Sequence, residues 1–293
     1  MPLADTVPQR SPFPPREGGQ GVRSVIPSLS TRMAEVPGRK DQALLPLEAF
    51  ATLARDLGYA ALSMRASQLS VDTPAERVAE AEAALDGLGL RVSMVTGTVA
   101  LAANDAHAVD PLRRITPHLD LAERLGCDLI RVMMQTTDDI PWAQRAADEA
   151  VERRIRLAHQ THVGTLCETV DEALDVVARV GRSNFGLTYE PSNLLICGSD
   201  YGPEAIRRLA PHVFNVYLQN WYAHPGGAMS IRTNRGTVQA DQVPLDDRRG
   251  IDLERVLEGL QAIGWQGYVT VHQVLLPGQE LRAECARHLA AIQ

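Results

Sequence analysis

The stretch Leu125-Gly126-Cys127-Asp128-Leu129-Ile130-Arg131-Val132 ends a helical segment on a glycine and passes at once into a short β-rich run. Glycine beyond a helix supplies the left-handed cap that turns the chain back towards a sheet. The same joint recurs along the chain. Leu57-Gly58-Tyr59 precedes Ala61-Leu62-Ser63-Met64, Leu88-Gly89-Leu90 precedes Val92-Ser93-Met94-Val95, Val163-Gly164 precedes Thr165-Leu166-Cys167, and Ile263-Gly264-Trp265 precedes Tyr268-Val269-Thr270-Val271. Leu47, Phe50, Ala54 and Leu57 add helical spacing, and Pro203 opens a further helix where proline is tolerated.

Working outward, the pattern predicts strands at 24–29, 61–65, 92–98, 129–134, 164–168, 185–190, 213–219 and 268–274, with helices between them. Strands alternating with helices make a parallel sheet. A doubly wound sheet is the competitor, but no GxGxxG or Walker A motif follows a strand, and Gly18-Gly19-Gln20-Gly21 has no helix behind it. Eight units in about 270 residues predict an α/β fold closed as a (β/α)8 TIM barrel, with its site on the loops after the strands. The longest such loop, 220–250, is expected to be a lid or substrate loop. Residues 1–22, rich in proline and glycine, are expected to be a disordered or loosely packed extension, leaving 23–293 as one barrel domain.

Composition narrows the function classes. A net charge of -7 argues against a nucleic-acid partner, because neutralising phosphates needs a surplus of basic residues. Neither a signal peptide nor an apolar stretch of about 18 residues is present, so no membrane span is expected and the cytoplasm is the default. Cys127, Cys167, Cys197 and Cys285 lie far apart, as reduced buried thiols do. Lys40 is the only lysine, in the turn-like Pro37-Gly38-Arg39-Lys40, and this placement argues against Schiff-base chemistry from a buried barrel lysine.

In a barrel, side chains at the carboxyl ends of the strands meet in a common site. Strands five to eight end in Glu168, in Glu190, in Asn215, Tyr217 and Gln219, and in His272. Two carboxylates, an imidazole and a carboxamide suit a divalent ion, Mn2+ or Mg2+ for the oxygen donors, with Co2+ or Zn2+ favoured by the histidine. A carboxylate pair could instead act as general acid and base without metal. The structural readings stand beside these: a strand-end glutamate can be a salt-bridge partner, His272 a packed core histidine, and Tyr217 core. His159 and His162 read as surface residues at a helix end, and Arg153, Arg154 and Arg156 as a solvated helix face.

Three stretches resemble the xylose-isomerase-like barrel superfamily of sugar isomerases, epimerases, inosose dehydratases and AP-endonuclease relatives. They are Gly164-Thr165-Leu166-Cys167-Glu168, Gly186-Leu187-Thr188-Tyr189-Glu190-Pro191-Ser192-Asn193, and the run from Val243-Pro244-Leu245-Asp246-Asp247-Arg248-Arg249-Gly250-Ile251-Asp252 to Gly264-Trp265-Gln266-Gly267-Tyr268. The resemblance implies metal ligands at Glu168 and Glu190. It departs on strand seven, where Tyr217 stands in place of the usual His or Asp and Gln219 is the substitute ligand, and on strand eight, where His272 replaces Glu. It further implies a metal-dependent enzyme acting on a sugar or keto-sugar by proton abstraction next to a carbonyl: isomerisation, dehydration, or β-elimination such as 3-keto-glycoside cleavage. In that reading Glu168 and His272 are catalytic, and Glu168, Glu190, Gln219 and His272 hold the metal. Asn193, Tyr217, Asn220, His224, Arg232, Arg235, Arg131 and Gln135 face the substrate. A plain aldose/ketose isomerase or epimerase, and a non-catalytic barrel serving as a subunit or binding module, are the alternatives; a homo-oligomer or a partner subunit is compatible with either.

Overall fold

The computed structural model describes residues 25–293. The expected extension at 1–22 lies outside the described residues. Eight strands, Ile26–Ser30, Ala61–Arg65, Arg91–Thr96, Leu129–Val132, Arg156–Gln160, Phe185–Tyr189, Val213–Leu218 and Tyr268–Val271, close into a barrel in sequence order, every neighbouring pair parallel. The seam joins first to last, with Ile26 opposite Tyr268 and Leu29 opposite Val271. This is the expected (β/α)8 barrel.

The helices form because their apolar positions fall on one face. In Leu47–Leu57 the buried side chains are Leu47, Phe50, Ala51 and Ala54, and Gly58 closes the helix in the left-handed conformation at φ 103°. Inside the barrel the contacts are polar. Ser28 Oγ meets Ser93 Oγ at 2.8 Å between strands one and three, and Ser63 Oγ meets the Tyr217 hydroxyl at 2.6 Å between strands two and seven. Non-adjacent strands touch only across the interior, so these bonds mark the floor beneath the barrel mouth.

Strand five corrects the sequence reading. It is Arg156–Gln160, whereas 164–168 is a turn bound by His162 N to the Cys167 carbonyl at 3.0 Å and by Thr165 Oγ1 to the His162 carbonyl at 2.7 Å. The joint before the true strand is Arg154, which takes the left-handed conformation at φ 59° without being glycine, while Gly164 takes it at φ 67° within the turn after the strand. His159 therefore lies fully buried on a strand, and Arg156 opens that strand, so neither belongs to a surface helix face.

Two additions cover the mouth. After strand one, Glu35–Val36 and Arg39–Ala43 form an antiparallel hairpin. After strand seven the long loop folds as a three-stranded sheet, Trp221–Ala223, Met229–Thr233 and Gly236–Gln242. The four cysteines are free and buried. Among the described residues no helix is long and apolar enough to cross a membrane.

Gly186 on strand six has no room for a side chain, because a Cβ there would press on the His212 carbonyl and come within 2.6 Å of the Phe214 ring. Gly186→Ala is expected to lower stability by about 1–3 kcal/mol through overpacking. Urea denaturation at fixed pH measures the change.

Candidate functional site

The mouth of the barrel holds a cavity of about 250 Å³, whose walls include Arg32, Lys40, Arg65, Arg131, Gln160, His162, Asn193, Gln219 and His272. Trp221, Met229, Ser230 and Ile231 of the three-stranded sheet form one side. The cavity is thus built at the carboxyl ends of the strands, as the fold requires.

Beneath the wall lies Glu190, at the end of strand six and wholly buried. Its Oε2 accepts hydrogen bonds from the Gln160 and Asn193 side-chain amides, the latter at 2.6 Å, and its Oε1 accepts one from the Gln219 amide. Burial pushes the carboxyl up to about 7, against the amide bonds from Gln219 and Gln160 and the charges of Arg32 and Arg131, which pull it down.

The cations are held by carbonyl groups. The short helix Val99–Ala103 turns the Leu101 and Ala102 carbonyls at its end towards these cations. Arg131 Nη1 donates to the Leu101 carbonyl at 2.7 Å, while Arg65 Nη2 and Lys40 Nζ donate to that of Ala102 at 3.3 and 3.1 Å. Arg131 also donates to Asn104 Oδ1, and Asn104 Nδ2 lies 3.2 Å from His162 Nε2. Arg65 has a carboxylate partner, Glu35, at 2.6 Å. Arg32, Lys40 and Arg131 have none in an ion pair among the described residues. Arg32 Nη1 instead donates to Gln219 Oε1 at 2.7 Å and to the His272 carbonyl at 3.2 Å.

His272 stacks on Tyr217, with ring centroids 3.9 Å apart and planes 11° off parallel, and its Nδ1 lies 3.0 Å from Ser30 Oγ. Burial, then the charges of Arg32, Arg65, Arg131 and Lys40, hold its pKa well below the usual imidazole range. The ring is neutral at physiological pH.

Of the residues expected at the site, Arg131, Asn193, Gln219 and His272 line the cavity, with Glu190 and Tyr217 buried behind them. The others lie elsewhere. Glu168 sits in the loop after strand five, where its Oε1 accepts from the backbone of Gly164 and Asn234, both at 2.7 Å, and its Oε2 from Arg235 at 2.8 Å. Arg235 also binds Glu172 at 2.6 Å, so it ties the loop down. Asn220 is a brace: its Nδ2 donates to the carbonyls of Pro244, Leu245 and Asp247, and its Oδ1 accepts from Ile251 N at 2.8 Å. His224 pairs with Asp241 at 2.8 Å, Arg232 is exposed on the covering sheet, and Gln135 bonds the Asp105 carbonyl. None of these five, nor Glu168, lines the cavity. The sequence reading missed Arg32, Lys40, Arg65 and Gln160, and placed His162 on the surface although it lines the cavity. One signal was available for Gln160: it stands at the end of the real strand five.

The sequence was compared with known proteins. The family model for the xylose isomerase-like TIM barrel matches residues 51–287. The chain belongs to the xylose isomerase-like TIM barrel family. Comparison with curated protein sequences yields no match. Similar solved structures include the D-psicose 3-epimerase with D-tagatose from Clostridium cellulolyticum H10, at 15% identity and TM-score 0.67 over 91% of this chain and 97% of that one. The probable 3-DHS dehydratase AsbF involved in petrobactin synthesis from Bacillus anthracis aligns at 13% identity and TM-score 0.66, over 90% and 97%. A xylose isomerase-like TIM barrel protein from Mycobacterium smegmatis in complex with magnesium aligns at 16% and 0.64, over 92% and 98%. At these identities the likeness establishes the fold, and the family includes epimerases and dehydratases.

The family's divalent ion does not suit the donors of this chain. Of the expected ligands, Glu168 is bound into its loop, both Glu190 oxygens accept amide hydrogens, and Gln219 Oε1 accepts from a guanidinium. Among the described residues no group of three or more His, Cys, Asp or Glu side chains could hold a metal. Glu190, and Glu35 already paired with Arg65, are too few carboxylates beside Arg32, Arg131 and Lys40 to offset the repulsion that a further dication would meet.

The raised carboxyl of Glu190 has a consequence for stability. Its pKa rises from 4.5 towards about 7 on folding, so the native state holds the proton more tightly than the unfolded chain. The contribution is complete below about pH 4.5 and is lost as pH rises through 7, a loss on the order of 3 kcal/mol at most. Glu190→Gln is expected to flatten that part of the pH profile and to be the more stable protein at pH 8, which urea denaturation at pH 5 and 8 will read.

Proposed function

We propose that this protein is an enzyme that binds a small, anionic, carbohydrate-derived carbonyl compound in the mouth of the barrel and moves a proton on the carbon next to the carbonyl. Isomerisation, dehydration and β-elimination, including cleavage of a 3-keto-glycoside, all begin with that step. The observation that carries the reading is the cavity wall, where Arg32, Arg131 and Lys40 meet without a carboxylate partner among the described residues. Partly or fully buried cations that lack an ion-pair partner are costly, and an anionic ligand relieves the cost.

His272 is the group that takes the proton. It is neutral in the free protein, so it can accept one, and neutralisation of the surrounding cations by a bound anion raises its basicity at the moment substrate arrives. The negative charge that grows on the carbonyl oxygen is stabilised by guanidinium groups already held in place, Arg131 by the Leu101 carbonyl and Arg65 by that of Ala102. Glu190 is a positioning residue, which fixes the three amides of Gln160, Asn193 and Gln219. The sequence-based assignment of Glu168 as a catalytic group is set aside, because its carboxylate is committed to Gly164, Asn234 and Arg235.

The departure from the family's ligand set also suits a barrel that binds an anion without transforming it. Deuterium exchange separates the two. Small sugar-derived keto acids incubated with the protein in D2O are expected to exchange the hydrogen next to the carbonyl, with or without EDTA, and His272→Gln is expected to slow exchange by at least about a hundredfold. Exchange confined to neutral sugars and dependent on Mn2+ would contradict the proposal, and binding with no exchange would leave the non-catalytic barrel.

A further inference from the structure

Lys40 sits on the hairpin Arg39–Ala43 that folds over the barrel mouth, and its side chain lines the same cavity as Arg32, Arg65, Arg131 and His272. Every other basic side chain apart from histidine is arginine, so the one primary amine that a side chain of this protein offers is placed in the cavity. The sequence reading set Lys40 aside because it lies outside the barrel strands; the hairpin brings it back to their carboxyl ends. Its Nζ donates to the Ala102 carbonyl at 3.1 Å, a bond that fixes the amine without supplying a negative charge.

We propose that Lys40 is a nucleophile that forms an imine with the carbonyl group of the anionic substrate. This rests on the reading of the cavity as an anion-binding carbonyl site. The neutral amine attacks the carbonyl carbon: a C–N bond forms, the π pair moves to oxygen, and the carbinolamine takes up and redistributes protons until water leaves. The resulting iminium is an electron sink, so loss of the neighbouring C–H proton to His272 gives an enamine; hydrolysis later returns the carbonyl and the free amine. No oxidant or reductant is needed.

The surroundings suit the role. Burial, followed by the charges of Arg32 and Arg65, lowers the Lys40 ammonium to about 7; Glu35 opposes the shift and Arg131 adds to it. Far more of the amine is then unprotonated near neutral pH than in a solvated lysine, which is almost wholly protonated there. Arg32 and Arg131 are left to hold the substrate anion, while Arg65 is paired with Glu35. An arginine at position 40 would keep a positive charge at the mouth but could not form the imine.

The test uses glyoxylate, an anionic aldehyde, with sodium cyanoborohydride at pH 7, followed by peptide mapping. Reductive labelling of Lys40 is expected in the native protein, at least about tenfold faster than in protein unfolded in urea. Oxalate, which has the charge but no aldehyde, is expected to block it, and Lys40→Arg to abolish it. Oxalate binding without labelling of Lys40 overturns the imine and leaves the anion site standing. Labelling that oxalate does not block shows a merely exposed amine and also overturns it. Absence of oxalate binding overturns the anion-site reading beneath it.

Discussion

The site depends on how several positive side chains are kept close together at the mouth of a barrel. Burying like charges costs several kcal/mol each unless dipoles or counter-charges answer them. Here the Leu101 and Ala102 carbonyls at the end of Val99–Ala103 receive Arg131, Arg65 and Lys40, the Gln219 and His272 oxygens receive Arg32, and Glu35 pairs with Arg65. The remaining carboxylate, Glu190, is wrapped in three amides and forms no ion pair with the wall. Burial together with this arrangement gives the neutral His272 and the weakened Lys40 ammonium, while burial raises the Glu190 carboxyl against the pull of Arg32 and Arg131.

Within the family, this amounts to a change of electrophile. Arg32 bonds two of the positions from which a metal would be held, the Gln219 side chain and the His272 backbone. A guanidinium delivers positive charge and directed hydrogens in one fixed plane, whereas a dication demands anionic donors, and the side chains around Glu190 are amides. On the proposed reading, the same barrel stabilises an enolate with cationic side chains and takes substrates that bring their own negative charge.

The barrel was legible in the sequence because the helix, glycine, strand joint is local and repeats. Seven of its strands fall where the pattern places them, apart from their ends. Strand five escaped because its joint uses Arg154 rather than glycine and because Arg156, Ala158, His159 and Gln160 are poor strand formers on paper, while Gly164 to Cys167 imitated the joint in a turn. That single slip moved Glu168 into the site and kept Gln160 and His162 out of it. Glu190, Gln219, His272, Asn193 and Arg131 were found because strand ends can be read directly. Arg65 stands at the end of strand two and could have been read in the same way, but Arg32, in the short turn after strand one, and Lys40, on the hairpin, reach the cavity through contacts that no local pattern announces.

The central claim is that the mouth of this barrel is an anion site built from side-chain cations rather than a seat for a divalent metal. Crystals soaked in manganese chloride and in sodium malonate, with anomalous data collected for the metal, test it most directly. The account predicts malonate bonded to Arg32, Arg131 and Lys40 and no manganese peak beside Glu190. A manganese ion bound by Glu190, Gln219 and His272, with Arg32 displaced, would contradict it.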